Sequence, residues 1–170
     1  QGMPALLFEN VKGAKFPLAM NVLASDKRIE LALGKHPDQL GEELITFMED
    51  AMPPNPKVFF KHPGTTRRII SAIPRTTFRS TSQEVVSQPN LDDLPVITSW
   101  PDDGGPFITL PQVFTYDPRD GKRNLGMYRM QVFDNQTTGM HWQIQKGGGF
   151  HFYQAKKMGK DFKIAGALGT

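Results

Sequence analysis

The stretch from Asn124 to Gln145, NLGMYRMQVFDNQTTGMHWQIQ, constrains the fold most, because its pattern predicts a β-hairpin that carries many polar groups. In the first arm, Arg123 to Phe133, side chains alternate between two faces with a period of two, and neither face is purely apolar. Asp134, Asn135 and Gln136 have the side chains of a turn. A strand pair that only builds a core does not need so many polar groups, so we expect functional residues here.

Composition excludes several classes of protein. A chain of 170 residues with 38% hydrophobic residues can bury a core, and no apolar run approaches the roughly 18 residues of a membrane helix. The absence of cysteine removes disulfides and thiolate metal sites, and no secretion signal opens the chain, which favours the cytoplasm. The basic cluster Arg67, Arg68, Arg75 and Arg79 has one aromatic neighbour, Phe78. It is more typical of a solvated helix face than of a nucleic-acid site.

The first part of the chain reads as a small α/β segment, residues 1–56. Two buried strands, Ala5–Phe8 and Pro17–Val22, precede a helix from Asp26 to Leu33 with Ser25 as N-cap and Gly34 as C-cap. A second helix starts at Pro37 and ends before the prolines at 53, 54 and 56, which form a stiff connector.

A connecting segment, residues 57–93, and a β-rich domain, residues 94–170, follow. The connecting segment carries a basic amphipathic helix near Thr66–Ile73 and a possible strand at Gln83–Ser87. The pattern of the β-rich domain predicts these elements in order: a strand at Leu94–Ile97, one long strand at Pro106–Tyr116, a turn at Asp117–Gly121, the Asn124 hairpin, a flexible break at Gly147–Gly149, a helix at Phe150–Met158 and a strand at Lys163–Leu168.

Arg129 is the most informative charge in the hairpin. A guanidinium among Met127, Met130 and Val132 is costly unless it is paired, and no acid lies at a matching position in the hairpin. Its partner is therefore either a ligand anion or an acid from elsewhere, unless the side chain extends along an edge strand to water. Asn124 lies five residues earlier, on the opposite face of a regular strand, so both can meet one ligand only if a bulge intervenes, for which Gly126 is the candidate.

Three other features carry weaker signals. The loop Asp102–Gly105 suits either close approach to a ligand or a solvated turn. His141, on the polar face of the second arm, is a base, a ligand contact or a hydrogen-bonded structural residue, and His151 has the position of a helix cap. No nucleotide-binding fingerprint and no self-contained zinc motif occurs.

Two long motifs resemble the UbiD family of reversible decarboxylases, which use prenylated FMN. They are LPVITSWPDDGGPFITLPQVFT, from Leu94, and GKRNLGMYRMQVFDNQTTGMHWQIQKGGG, from Gly121. The opening segments PALLFENVKG and PLAMNVLASDKRIELALG are similar to the same family. The resemblance implies an α+β fold in which a split β-barrel of the flavin-reductase type with flanking helices follows the small α/β segment.

The resemblance also implies a set of site residues. Arg129 matches the catalytic arginine of the family, whose two glutamate partners would lie beyond Thr170. Contacts to the flavin fall on Thr109, Asn124, Gly126, Met127, Tyr128, Arg129 and Gln145. The metal ligands, for Mn2+ with K+ nearby, fall on Asn124 and on Gln145, which stands where many members have histidine; His141 is an alternative.

The implied activity is that of a carboxy-lyase acting on aromatic or α,β-unsaturated carboxylic acids by covalent catalysis with prenylated FMN. A prenyl-FMN synthase of the UbiX type would supply the cofactor, and a homo-oligomer is expected, with neither nucleic acid nor membrane as partner. The chain begins without methionine, which indicates a fragment. By itself this fragment is expected to be inactive, because the resemblance places the proton-donating glutamate beyond Thr170. The alternative is a non-catalytic flavin-binding split-barrel module.

Overall fold

The computed structural model describes residues 3–169, which divide into two units. One unit contains Leu18–Ser87 together with the segment that ends at Phe8. The other contains Glu9–Pro17 together with the segment from Gln88 onward.

The first unit consists mainly of helices. Its elements are β1 (Leu6–Phe8), β2 (Leu18–Met20), α1 (Asp26–Leu33), α2 (Pro37–Ala51), α3 (Val58–Lys61), α4 (Pro63–Ser71) and a 3₁₀ turn (Thr81–Gln83). The strands β1 and β2 pair antiparallel, with Leu6 opposite Met20. Both predicted strands are therefore confirmed, but they are not buried, since all three residues of β1 are exposed.

Local signals place the ends of the first two helices. The Ser25 side chain accepts a hydrogen bond from the backbone N–H of Arg28, and Gly34 ends α1 with a φ of 69°, a left-handed conformation that glycine adopts without strain. Pro37 lies in the first turn of α2, where its missing N–H costs nothing. These helix limits are confirmed.

Two strand predictions are wrong, one in the connecting segment and one at the start of the β-rich domain. Gln83–Ser87 contains only the end of a 3₁₀ turn, and Leu94–Ile97 contributes a single bridge, between Ile97 and Phe107. Short apolar runs form strands only where a partner edge is available, and sequence pattern does not report that. The basic helix begins at Pro63, three residues earlier than predicted.

The second unit, as far as residues 9–17 and 88–169 describe it, contains two antiparallel three-stranded sheets and one α-helix. Its elements are a 3₁₀ turn (Leu91–Asp93), β3 (Phe107–Ile108), β4 (Gln112–Tyr116), β5 (Arg123–Met127), β6 (Met130–Val132), β7 (Thr138–Met140), α5 (Gly147–Lys157) and β8 (Ala165–Ala167). The strand orders are β3-β6-β7 and β5-β4-β8. The α+β class is confirmed, and the described residues form no closed barrel.

Both long strands predicted from the sequence are broken, and each contributes to both sheets. The first is interrupted between Ile108 and Gln112, where buried Pro111 has no N–H to donate to a ladder. The second, the first arm of the hairpin, breaks at Tyr128 and Arg129, because β5 pairs with β4 whereas β6 pairs with β3 and β7. The predicted break thus exists, two residues after Gly126.

The two predicted turns form as expected. The carbonyl of Asp117 accepts from the N–H of Gly121 at 2.8 Å, and the Asp134 side chain accepts from the N–H groups of Gln136 and Thr137. No helix among residues 3–169 combines the length and the apolar character that crossing a bilayer requires.

Candidate functional site

A polar group of side chains lies between β4, β5 and helix α5. Thr115 is paired with Asn124 across the two strands, and side chains of directly opposed residues lie on the same face of a sheet. Thr115 is fully buried, and α5 covers this face with buried residues that include His151 and Ala155. The contact between a helix and two strands therefore encloses hydrogen-bonding groups together with apolar ones.

The amide of Asn124 has a defined orientation in this group. Its Nδ2 donates to the Thr115 hydroxyl at 3.4 Å and to the Tyr128 hydroxyl at 3.3 Å. Both bonds use the nitrogen, so the carbonyl oxygen Oδ1 remains available as an acceptor. An amide oxygen with free lone pairs can bind a hard cation.

The three glycines that begin α5 bring the helix into contact with this group. A Cβ on Gly147 would lie 2.5 Å from Oδ1 of Asn124, and one on Gly148 would lie 2.7 Å from the Tyr128 ring. A Cβ on Gly149 would lie 2.3 Å from the backbone oxygen of Gln143. The flexible break predicted at 147–149 is wrong, since these residues form the first turn of α5, and the absence of Cβ atoms there permits the close contacts with Tyr128 and Gln143.

Tyr128 connects the helix to β5. Its hydroxyl accepts from the buried N–H of Gly148 at 2.8 Å, one of the helix-start donors that lack a partner within the helix. The ring also packs on Trp142, with centroids 5.1 Å apart. Tyr128 is 3% exposed, and its hydroxyl joins β5 to the start of α5. Its implied role as a flavin contact stays a prediction.

Arg129 has an acidic partner from outside the hairpin. Its Nη1 donates to Oδ1 of Asp103 at 3.0 Å, Nη2 donates to Oδ2, and the guanidinium lies 3.6 Å from the centroid of the Phe107 ring. These hydrogen bonds hold the pKa of Asp103 below its ordinary value. Of the partners left open by the sequence, the structure contains the acid, and it comes from the Asp102–Gly105 loop.

The other residues implied by the resemblance do not all converge. Thr109, Met127 and Gln145 are exposed, and no side-chain hydrogen bond within the described part of the chain joins Gln145 to Asn124. Among residues 3–169, no group of three or more His, Asp or Glu residues is arranged to hold a metal. Of the two implied metal ligands, Asn124 and Gln145, only Asn124 has side-chain hydrogen bonds among residues 3–169.

The prediction that His151 caps a helix is wrong. Its neighbours Thr115 and Asp117 were not predicted as site residues. His151 lies one turn inside α5, 7% exposed, with Nδ1 at 3.0 Å from the Thr115 hydroxyl and Nε2 at 3.9 Å from Asp117. The signal was available: Gly148 and Ala155, three before and four after, mark a close-packed helix face. Thr115 and Asp117 share the strand alternation of buried Val113.

Asp117 is a buried carboxylate with several donors. Arg119 donates to it from Nε at 3.0 Å, from Nη2 at 2.7 Å and from its backbone N–H at 2.9 Å. The side-chain hydrogen bonds from Arg119, followed by the backbone one, hold the pKa of Asp117 well below its usual range. The guanidinium of Arg119 in turn lies 5.0 Å from the Phe150 ring centroid at the start of α5.

Comparison with known proteins decides the family. Residues 75–170 match UbiD, the 3-octaprenyl-4-hydroxybenzoate carboxy-lyase Rift-related domain, and residues 1–48 match UbiD_N, the N-terminal domain of the same carboxy-lyase. The chain belongs to the UbiD family. The strand β5 and helix α5 with their polar contacts lie inside the first UbiD match.

Three UbiD relatives illustrate the similarity. The chain is 39% identical over 163 residues to a 4-hydroxybenzoate decarboxylase subunit of Chlamydia pneumoniae, covering 95% of this chain and 28% of that protein. Vanillic acid decarboxylase of Sedimentibacter hydroxybenzoicus in closed form superposes with a TM-score of 0.75 at 26% identity, covering 98% of this chain and 34% of the other. An evolved dimeric form of the UbiD-class enzyme HmfF from Pelotomaculum thermopropionicum, in complex with prFMN, has a TM-score of 0.67 at 23% identity, covering 98% and 35%, which shows a shared fold.

The UbiD relatives are much longer than this chain, which spans about a third of their length. The site described above is therefore the part of a UbiD protein that this chain contributes.

Proposed function

We propose that the whole UbiD protein is a reversible decarboxylase of aromatic or α,β-unsaturated carboxylic acids that uses prenylated FMN. This chain would contribute the N-terminal segment, residues 1–56, the connector, residues 57–93, and the cofactor-contacting strands of residues 94–170. Two of the relatives named above are decarboxylases, and another was solved with prFMN. These names do not favour the alternative of a non-catalytic flavin-binding module.

One observation carries the proposal: the Asn124 amide keeps Oδ1 free while Nδ2 is held by two hydroxyls. An oxygen presented in this way suits Mn2+ or K+, both of which accept amide oxygens. Asn124 would therefore be the ligand in this chain that holds the metal at the flavin phosphate. Gln145 would be the second, because its exposed amide is unconstrained, and the remaining ligand would come from another part of the protein.

The flavin itself would contact β5. This strand is at the edge of its sheet in the described part of the chain, so some backbone N–H and C=O groups of Gly126 and Met127 face away from β4. Hydrogen bonding to such groups and packing against half-exposed Met127 suit a flat, polar-edged ring system. Thr109 lies in the break between β3 and β4 and would contact the same ligand. The two sheets joined by two bent strands would form one corner of a flavin-reductase-type split barrel.

Arg129 would act on the substrate carboxylate. When bound, prenylated FMN supplies an electron sink that accepts the electron pair left as CO2 departs. Arg129 would orient the reacting carboxylate by the two-pronged geometry that it uses on Asp103. Asp103 would release one or both guanidinium nitrogens of Arg129, which would then donate to the substrate carboxylate or to the two family glutamates expected beyond Thr170. A glutamate from that region would deliver the proton.

The remaining parts of the proposal concern the cell. A UbiX-type prenyl-FMN synthase would load the cofactor, the protein would work in the cytoplasm, and the chains would assemble into a homo-oligomer.

Cofactor loading of this chain tests the proposal. The chain is co-expressed with a UbiX-type synthase, purified with Mn2+ and examined by visible absorbance and by mass spectrometry of the released cofactor. We expect a bound prenylated flavin, its loss in Asn124→Ala and its retention in Asn135→Ala, a control in the exposed turn of the same hairpin. A chain that purifies without flavin under these conditions would contradict the cofactor site.

Activity gives a second test. We expect no CO2 release from the loaded chain supplied with aromatic acids, because the proton-donating glutamate is assigned to another part of the protein. Measurable turnover by this chain would show that the assignment of the acids is wrong.

A further inference from the structure

The polar side chains that lie behind Asn124 are buried, and none of the site residues implied by the family resemblance accounts for their burial. Thr115, Asp117 and His151 are 0%, 5% and 7% exposed. Hydrogen bonds join Asn124 to Thr115 and Thr115 to His151, and Nε2 of His151 lies 3.9 Å from Asp117, an electrostatic contact that is longer than a hydrogen bond. Burying three hydrogen-bonding side chains is costly unless each is satisfied. The pattern of donors and acceptors in this group fixes which atom of the Asn124 amide faces Thr115 and which faces away from it.

The direction of these hydrogen bonds follows from the two ends of this group. Arg119 holds Asp117 as a carboxylate, and this negative charge, 3.9 Å from Nε2 of His151, electrostatically favours a proton on that nitrogen. With the single ring proton on Nε2, Nδ1 of His151 is bare and accepts from the Thr115 hydroxyl at 3.0 Å. Because the hydroxyl proton of Thr115 is used in this way, its oxygen can only accept from Asn124.

The atom of Asn124 that faces Thr115 must therefore be the donor Nδ2, which leaves Oδ1 on the other side. In the opposite tautomer of His151, Nδ1 would donate to Thr115, and the hydroxyl would instead donate to Oδ1 of Asn124. The amide would then turn, and its nitrogen, which cannot bind a cation, would replace the oxygen.

We propose that His151 is a positioning residue that, through Thr115, orients the Asn124 amide so that its oxygen is presented for metal binding. This rests on the proposed function, since it takes Asn124 as a metal ligand. Neither His151 nor Thr115 contacts the metal or the flavin in this proposal. Partners behind a ligand commonly alter metal affinity by about 10- to 100-fold.

The test compares substitutions at Thr115, where isosteric changes are available. Mn2+ binding to the chain is measured by the electron paramagnetic resonance signal of the free ion, with circular dichroism as a check of folding. Thr115→Val keeps the shape but removes the hydroxyl, and we expect it to weaken Mn2+ binding about 10- to 100-fold. Thr115→Ser restores the hydroxyl and should bind within a few-fold of wild type.

Changes at His151 test the origin of the effect. His151→Asn offers an amide oxygen near the former Nδ1 and should retain Mn2+ binding better than His151→Leu, which offers no acceptor. Nitrogen-15 NMR of the wild-type ring, without metal, should show the proton on Nε2. The opposite tautomer would overturn the proposal whatever the metal affinity.

The outcomes separate this inference from the proposed function. If wild type does not bind Mn2+, or if Asn124→Ala binds it equally well, the proposed metal site is wrong. If wild type binds, Asn124→Ala does not, and a folded Thr115→Val binds like wild type, the metal site stands and the positioning role is refuted.

Discussion

Substitution of Gly149 by alanine would shift the start of α5 away from the segment that precedes it. The added Cβ would lie 2.3 Å from the backbone oxygen of Gln143, about 0.7 Å inside the 3.0 Å that real Cβ contacts respect. A backbone carbonyl cannot rotate away as a side chain does, so the helix start must shift. Overpacking of this kind costs about 1–3 kcal/mol, whereas alanine recovers roughly 1 kcal/mol of helix propensity.

Gly64 provides the matched control for this substitution. It also lies in the first turn of a helix, α4, and nothing is within 4 Å of its added Cβ, so Gly64→Ala should gain up to about 1 kcal/mol. The two variants should then differ by about 1–3 kcal/mol. Near the midpoint of thermal unfolding, 2 kcal/mol corresponds to roughly 4–8 °C for a chain of this size.

Fluorescence of Trp142 reports the docking of α5 directly. Trp142 stacks on Phe152 of the helix at 5.7 Å, whereas the other tryptophan, Trp100, is 72% exposed and can be replaced by phenylalanine. Urea unfolding of both glycine variants in the Trp100→Phe background measures the difference in unfolding free energy. Gly149→Ala as stable as Gly64→Ala would refute the close approach of α5 to Gln143.

Three further predictions concern the polar contacts. Tyr128→Phe should destabilise the chain by about 1–3 kcal/mol in urea unfolding, because the buried N–H of Gly148 loses its acceptor. Asp117→Asn should lower the unfolding free energy at pH 7, and its difference from wild type should shrink as the pH falls from about 4. The reason is that a carboxylate whose pKa is lowered by folding stabilises the folded state at pH values above its pKa in the unfolded chain, and it loses this effect as it becomes protonated. Arg129→Gln should raise the pKa of Asp103 in carbon-13 NMR titrations.

Matched substitutions distinguish these effects from general damage. Tyr153→Phe, on the exposed side of α5, should leave stability within about 0.5 kcal/mol. Asp102→Asn, next to Asp103 but exposed, should leave the Asp103 titration in place. An equal loss of stability in Tyr128→Phe and Tyr153→Phe would contradict the hydrogen bond from Gly148 to Tyr128. A stability difference for Asp117→Asn that does not change with pH would contradict the Asp117–Arg119 contact. An unchanged Asp103 pKa in Arg129→Gln would contradict the Arg129–Asp103 contact.

Features set by neighbouring residues could be predicted from the chain. Ser25 and Gly34 limit α1 because capping needs only a side-chain oxygen or a left-handed backbone at one position. The turn at Asp117–Gly121 formed for the same kind of local reason. The resemblance of the long motifs to the UbiD family is confirmed by the family match over residues 75–170.

Features set by distant partners could not. The break at Tyr128 and Arg129 arises because β5 and β6 pair with different strands, and β-strand alternation is the same on both sides of such a break. The glycines at 147–149 looked flexible because the sequence does not show what lies against them. Asp103 could not be assigned to Arg129, because 26 residues separate them.

The sequence by itself determined the family and the limits of α1, because these depend on side-chain type and on neighbours within a few positions. Only the tertiary structure decided which atom of Asn124 is free, since that depends on Thr115 across the sheet and on His151 in a helix packed over it. Hydrogen-bond direction is a property of the assembled group, and each member's role is fixed by its neighbours in space.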